Sequence, residues 1–403
     1  MDDIFIGRQP IFDTNLKVIA YELLFRSGST NEAHVIDGDT ATSDVMLNAL
    51  TEIGLEVLVG HHKAFINLTH NHILKMSELP LPEMKHKLVL EILEDVKPDA
   101  NIVDAVMQLA NAGYTIALDD FIYHKSLQPL VDIADIIKID LMAISKDQLK
   151  QHVAQLSNSK RKLLAEKVET LEEYEYCKEL GFDYFQGYFF CKPNIIKGQK
   201  LPTNKIAIIQ ILSKLQDHEI SAEKLAGTIM QDVTMSLRVL RYINSAQFGL
   251  GKEIDSIHNA IMMLGRTTIR NLANLVALSN IKDKPHELLI ISLVRAKMAE
   301  IMASSAKLSP DICFTVGLFS NLDTLMDQEM EVLIETLPLS ENIKLALLKH
   351  EGIYGDILKC IIAYENCEWD DAHYESLTTK SIRSCFFKAL EWATSSSSLL
   401  QNN

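Results

Sequence analysis

The sequence has no C-x-x-C pair and no cysteine–histidine spacing that would hold zinc. Its six cysteines, Cys177, Cys191, Cys313, Cys360, Cys367 and Cys385, are scattered. They read as reduced, mostly buried thiols, which excludes a disulfide-stapled secreted fold. Long apolar runs are also missing. None reaches the roughly 18 residues of a membrane span, and the run over 288–294 is closed by Arg295 and Lys297. No membrane association is therefore expected. Met1-Asp2-Asp3 lacks the basic and apolar regions of a signal peptide, so a cytoplasmic location is expected. Positive charge is scarce: 39 Lys and Arg stand against 54 Asp and Glu, a net charge of -15. DNA binding needs a basic footprint and is excluded as an expectation. A small anionic ligand is not excluded, because a bound metal ion inverts the local field of a carboxylate cluster.

What is present is core: 403 residues with 47% hydrophobic content, enough for two or more domains. The first half alternates two periods. β-rich runs at 63–69, 88–93, 115–121, 136–141, 163–168 and 184–190 are separated by amphipathic stretches such as 42–53, 100–112, 146–156 and 170–180. This alternation predicts α/β structure with a parallel sheet, and the number of repeats favours a (β/α)8-type barrel. Gly113 and Gly181 follow helix patterns, where left-handed C-caps belong. Past Pro193 the strands stop. Lys197-Gly198-Gln199-Lys200-Leu201-Pro202 reads as linker, and nearly everything from Lys205 on is helix-patterned. Ser221 and Asp232 look like N-caps. The serine-rich end reads as disordered. The expected division is a barrel over 1–196, a linker over 197–203, an all-α domain over 204–392 and a disordered tail over 393–403.

The acidic residues fall in an unusual place. Glu22 lies in the apolar run 18–24, Asn67 in Phe65-Ile66-Asn67-Leu68 and Glu91 in 88–93. Ile116-Ala117-Leu118 leads into Asp119 and Asp120, Lys138 sits inside Ile136-Ile137-Lys138-Ile139, and Leu163-Leu164-Ala165 leads into Glu166 and then Glu169. Buried carboxylates and lysines are costly unless paired or bound to metal. A polar group toward the C-terminal end of strand after strand is how barrel enzymes build active sites. Asp, Glu and Asn without His or Cys suit hard cations, Mg2+ or Mn2+. Adjacent Asp119 and Asp120 could serve two of them, the arrangement that clamps both oxygens of a phosphoryl displacement.

Several motifs in these strands resemble the EAL phosphodiesterase family over 7–193. Gln9-Pro10-Ile11 resembles its opening. Glu22-Leu23-Leu24-Phe25-Arg26 is similar to E-A-L-x-R, with Leu23 for alanine, and Glu91-Ile92-Leu93-Glu94 to E-x-T-E, with Leu93 for threonine. Asp119-Asp120-Phe121, Lys138-Ile139-Asp140, Ala165-Glu166-Lys167-Val168-Glu169-Thr170 and Gln186-Gly187-Tyr188 follow in the family's order. The resemblance implies metal-dependent hydrolysis of cyclic di-GMP to the linear dinucleotide, in motility or biofilm signalling. It implies Glu22, Asn67, Glu91 and Asp119 as ligands of a first cation. Asp119 would bridge to a second cation with Asp120, and Glu166 would be its ligand or the general base. Lys138 would orient the attacking water, and Glu169 would fix its neighbours. Gln9 and Arg26 would contact the dinucleotide, with Gln186 near the cations. The family's Gly-x-Gly loop is replaced by Ile122-Tyr123-His124-Lys125-Ser126-Leu127, and the glycine between the late glutamates by Lys167. Glu94, which would anchor that loop, is retained. The alternative is therefore an impaired barrel that binds cyclic di-GMP as a regulator.

Residues 201–390 resemble the HDOD family through Ile229-Met230-Gln231-Asp232, the stretch 237–249, and Ile254-Asp255-Ser256-Ile257 with Leu264-Gly265. That resemblance implies a non-catalytic regulatory module that meets a protein partner, with a homodimer as a further option. No His-Asp dipeptide occurs in this half. Arg238, Arg241, Arg266 and Arg270 form a basic cluster, read either as solvated helix faces or as a docking surface.

Overall fold

The computed structural model describes residues 4–27, 54–78, 85–120, 124–156, 161–192, 202–217, 220–245, 248 and 253–401. The helix expected over 42–53 and most of the linker expected over 197–203 lie outside these. The chain divides into two compact units, Met1–Phe190 and Cys191–Asn403.

Eight strands close the first unit into a barrel in sequence order. They are β1 (Ile4–Asp13), β2 (Val18–Ser27), β3 (Lys63–Leu68), β4 (Leu88–Ile92), β5 (Thr115–Leu118), β6 (Ile136–Asp140), β7 (Lys162–Glu166) and β8 (Tyr184–Phe185). From β2 to β8 every neighbouring pair is parallel, whereas β1 is antiparallel to both β2 and β8. The connection explains the exception. A parallel crossover needs a dozen or more residues, and the link between β1 and β2 is a tight turn. Asp13 holds that turn, its carboxylate accepting the N–H of Asn15 at 2.8 Å and of Lys17 at 2.9 Å.

The central strands β4 and β6 are buried at every position, as strands covered on both faces must be. Ile11, Ala20, Phe65, Val89, Ala117, Ile136 and Leu164, one from each of the first seven strands, form a single buried cluster against which Tyr184 of β8 packs. Side chains alternate along a strand, so the residue two positions nearer the C-terminal mouth shares that inward face. Those residues are Glu22, Asn67, Glu91, Asp119, Lys138, Glu166 and Gln186, with Gln9 on the reversed strand β1. The apolar layer is thus the floor of a polar one.

Around the barrel lie α1 (Leu55–Val59), α2 (His70–Glu78), α3 (Ala100–Asn111), α4 (Gln128–Ile133), α5 (Lys146–Leu156) and α6 (Leu171–Leu180). Helix α6 starts on a capping box between Thr170 and Glu173 and ends on left-handed Gly181. Two strands are shorter than their apolar runs. β5 stops at Leu118, where Asp119 N–H turns back to the Ile92 carbonyl at 2.9 Å and Asp120 takes φ 41°. β8 stops at Phe185, and a 3-10 turn covers Tyr188–Cys191.

In the second unit, the described residues from Thr203 on carry α-helices and one isolated β-bridge between Tyr374 and Leu377. Ser221 and Asp232 cap helices by accepting the N–H of Lys224 and Met235. The end of the chain differs from the disorder expected over 393–403: helix Thr379–Gln401 takes in residues 393–401, and 402–403 lie outside the described residues. Its serines return their hydroxyls to carbonyls four residues back, Ser396 to Trp392 at 2.6 Å and Ser395 to Glu391 at 3.0 Å. The small side chains let the helix pack closely: Ser396 is fully buried and meets the Tyr242 hydroxyl at 2.6 Å. A serine-rich composition misleads when the hydroxyls find backbone acceptors within the helix. No described helix is long and apolar enough to cross a membrane.

Candidate metal centre

Strand register assembles the polar layer. Gln9 pairs across from Glu22, Asn67 from Glu91, and Asp140 from Glu166. At its centre stands Lys138, only 1% exposed. Its ammonium meets Glu166 Oε1 at 2.6 Å, Asp119 Oδ1 at 2.8 Å, Glu22 Oε2 at 3.5 Å, and Glu91 Oε1. Asn67 Nδ2 donates to Glu22 Oε1 at 3.1 Å. Gln186 Nε2 donates to Glu22 Oε2 at 2.7 Å and to Gln9 Oε1 at 2.9 Å.

One ammonium cannot balance Glu22, Glu91, Asp119, Asp120 and Glu166 together, and the carboxyls register the shortage. Burial pushes Glu91 well above the usual carboxylate range against the pull of Lys138, with Glu22, Asp119 and Glu166 adding to the rise. Burial likewise pushes Glu166 up to about 8. Asp120 is raised by burial and then by Asp119. Burial works against the Lys138 charge, but Glu91, Glu22, Glu166 and Asp119 together hold its pKa well above the ordinary lysine value.

Two groups of carboxylate oxygens lie close enough to share an ion, each within 4.8 Å: Glu22–Glu91–Glu166 and Asp119–Asp120–Glu166. Among the described residues no other group of His, Cys, Asp and Glu does so. Four buried oxygens here have no hydrogen-bond donor: Asn67 Oδ1, Glu91 Oε2, Glu166 Oε2 and Gln186 Oε1. Orphaned acceptors of this kind are rare and costly. An all-oxygen set short of positive charge fits hard divalent cations. A cavity of about 230 Å³ adjoins the mouth, lined by Leu93, Glu94, Asp119, Asp120 and Leu127 among others.

The structure brings together Gln9, Glu22, Asn67, Glu91, Asp119, Lys138, Glu166 and Gln186 in this contact network. Asp120 joins them through the second carboxylate group. Glu94 and Glu169 have exposed side chains, and Glu94 lines the cavity. The side chain of Arg26 lies outside the described residues, as do Phe121, Ile122 and Tyr123. The described remainder of the altered loop is a 3-10 turn, Lys125–Leu127, running straight into α4. Asp140 and Lys167 carried no role in the sequence reading. Yet Asp140 shares the inward face of β6 with Lys138, and Lys167 Nζ reaches Asp140 Oδ2 at 2.5 Å. The signal was the i, i+2 parity of Lys138 and Asp140.

The helical unit holds a different kind of polar site. Buried Arg295 grips both oxygens of Glu365 at 2.7 Å and donates to Asn321 Oδ1 at 2.8 Å and Ser320 Oγ at 3.2 Å. In the basic cluster, Arg238 donates to Asn280 Oδ1 at 2.7 Å and Arg266 to the Ile220 carbonyl at 3.1 Å, so both serve the unit's own packing.

A closed barrel with a carboxylate layer at its mouth, followed by a helical unit, defines a two-domain protein of the EAL–HDOD class. The EAL domain family matches residues 4–193 and the HDOD domain family residues 201–337. The chain is 33% identical over 401 residues to the uncharacterized protein YuxH of Bacillus subtilis, covering 96% of this chain and 98% of that one. It is 32% identical over 399 residues to the cyclic di-GMP phosphodiesterase CdgJ of Vibrio cholerae, covering 96% and 92%. The YkuI protein of Bacillus subtilis, solved with c-di-GMP and calcium, is similar over 57% of this chain and 72% of its own, at 20% identity and a TM-score of 0.39. The chain belongs to the EAL–HDOD family.

Proposed function

We propose that the barrel, over 1–196, hydrolyses cyclic di-GMP to the linear dinucleotide with divalent cations, Mg2+ or Mn2+. The helical half, over 204–392, would pass the state of the barrel to a protein partner. The observation that carries this reading is the buried layer of unpaired oxygens around Lys138. The 32% identity to a relative named a cyclic di-GMP phosphodiesterase, along nearly the whole of both chains, points the same way. Glu22, Asn67, Glu91 and Asp119 would hold one cation, and Asp119, Asp120 and Glu166 a second. Bound there, the cations would supply the positive charge that draws in a phosphodiester and stabilises its displacement.

The remaining roles belong to the chain. Glu166, whose carboxyl is raised by burial, would serve either as a ligand of that second cation or as the general base that takes a proton from the attacking water. As water's oxygen bonds to phosphorus, one P–O ester bond breaks and the ring opens. Lys138, held charged, faces the developing negative charge. Gln9 and Arg26 would seat the dinucleotide, and Gln186 ties Gln9 to Glu22. Glu169 and Glu94 would act from the rim.

The test is a chromatographic turnover assay on full-length protein with and without Mg2+ or Mn2+. Cation-dependent formation of the linear dinucleotide is expected. Glu22→Ala should abolish it while leaving the fold intact, since Glu22 bonds Asn67, Gln186 and Lys138 at once. Wild-type turnover by Glu22→Ala would refute the assignment. A second reading, dinucleotide binding without turnover, is favoured by Lys167, an extra cation next to Glu166 in the chain that pairs with Asp140. Tight cyclic di-GMP binding with no product under any cation would select it.

A further inference from the structure

In the helical unit the connection 280–285 joins helix Arg266–Ser279 to helix His286–Ala306. Its charged residues are sorted by side. Asp283 pairs with buried Lys205 at 2.8 Å, and Lys205 goes on to Asp327 at 2.9 Å. Lys282 and Lys284, on either side of Asp283 in the chain, instead line a cavity of about 240 Å³. Arg238, from helix Val233–Ile243, lines it with them. Lys284 meets the second oxygen of Asp327 at 2.5 Å, so that one carboxylate is divided between two ammonium groups. The 2.7 Å bond from Arg238 to Asn280 Oδ1 also fixes the guanidinium at the cavity wall. His286 is turned to Ser397. Among the described residues that line the cavity there is no Asp or Glu. The rest of the wall is apolar: Leu278, Ile281, Leu289, Leu325 and Leu400, all buried. Three cationic side chains gathered on one cavity repel one another, and an anion seated among them reverses that repulsion.

We infer that the cavity walled by Arg238, Lys282, Lys284 and the five buried aliphatic side chains is a binding site for a small organic phosphate, a phosphate monoester on a short apolar body. A monoester carries about -1.5 to -2 charge at pH 7 and three strong acceptor oxygens. That suits three cationic side chains of which only Lys284 is answered by a recorded carboxylate outside the lining, whereas a carboxylate ligand would bring a single charge. The planar fork of Arg238 matches phosphate oxygens, and the two lysines act as point charges. The aliphatic wall takes the body. At about 30 Å³ per water, the 240 Å³ of the cavity is about eight waters. This falls short of the roughly 300–1,000 Å³ of pockets that take drug-sized ligands. The cavity therefore seats a phosphate and a few carbons, and not a dinucleotide. The inference is independent of the cation reading of the barrel and gives the helical unit a ligand of its own.

The experiment titrates n-butyl phosphate, inorganic phosphate and butyrate into full-length protein by calorimetry, with hydrogen exchange read over 278–289. Chelator is present throughout, so the barrel offers a phosphate no cation. Butyl phosphate should bind once per chain and slow exchange over 278–289. Inorganic phosphate lacks the apolar body and butyrate the second charge, and each should bind about tenfold or more weaker. Lys282→Glu reverses an exposed charge on the cavity, so folding is not at stake, and it should weaken butyl phosphate about tenfold or more. Lys349→Glu makes the same change on an exposed side chain outside the lining and should bind as wild type. Absence of saturable butyl phosphate binding would overturn the inference. So would equal weakening by both variants, which would mean attraction to overall charge alone, or protection that spares 278–289. A phosphoserine peptide that binds more tightly than butyl phosphate would assign the phosphate to a partner protein and overturn the small-molecule ligand. Failure of the barrel to bind Mn2+ would bear on the proposed hydrolysis and leave this site standing.

Discussion

Lys138→Met tests the polar layer at its centre. The substitution keeps the length and apolar stem of a side chain that is 1% exposed and deletes an ammonium shared by Glu22, Glu91, Asp119 and Glu166. Removing one partner of a buried ion pair leaves uncompensated charge and costs about 3–5 kcal/mol. With chelator present, the barrel of Lys138→Met should therefore lose about that much stability near pH 8. The loss should shrink with acid. Burial raises Glu91 above its ordinary value of 4.5 and lifts Glu166 to about 8, and without Lys138 both should rise further. A carboxyl raised in the folded state binds a proton there that the unfolded chain does not. The stability this contributes is complete below pH 4.5 and is lost as pH climbs through the folded value near 8. The variant should thus sit closest to wild type near pH 5, and the gap should widen as pH rises past about 8, where the wild-type carboxyl ionises beside Lys138 and the variant's does not. A divalent cation can replace the missing charge, and at 100 times its Kd it returns about 2.7 kcal/mol. The assay is urea unfolding with hydrogen exchange read at β2, β4 and β6, which separates the barrel from the helical unit. A variant within about 1 kcal/mol of wild type in chelator at pH 8 would refute the account, because no buried charge could then have been left unbalanced.

Two further outcomes follow from close packing and from the second unit. Gly187→Ala should destabilise the barrel by about 2–4 kcal/mol and displace Gln186. Its Cβ would run into the Val168 backbone, with φ at 147°, and denaturation with Mn2+ titration would show both losses. Arg295→Met should destabilise the helical unit by about 3–5 kcal/mol, and pairing it with Glu365→Leu should recover part of that, while Mn2+ binding by the barrel stays unchanged.

The barrel was legible because its strands are buried on both faces and therefore apolar along their length. A parallel strand between helices has no solvent side to dilute the signal, and β4 and β6 show it at every position. Strand ends were less legible, because hydrophobicity continues where hydrogen bonding stops. Phe189 and Phe190 are buried core residues in a 3-10 turn, not a strand. The reversed β1 follows from the length of one turn, which an alternation count does not weigh. The last helix was misread from composition: serine is poor in a solvated helix, but here Ser396 and Ser397 are buried against the unit's own core.

The site was legible for a reason separate from any motif. A polar residue two positions beyond an apolar inward residue, repeated on strand after strand, can only stack a polar layer on an apolar one, since the alternation is rigid. Asn67 above Phe65, Glu91 above Val89, Lys138 above Ile136 and Glu166 above Leu164 each repeat the step. What parity does not carry is conformation off the strands. The left-handed backbone at Lys167 and Asp120 lies beyond β7 and β5, where nothing in the residue pattern sets φ. There the sequence records only that a lysine stands where the family has glycine, which by itself reads as damage to a turn. The structure shows the side chain reaching Asp140. A substitution that looks like loss of backbone freedom is therefore also a gain of charge, and that charge is paired with Asp140 at the end of β6.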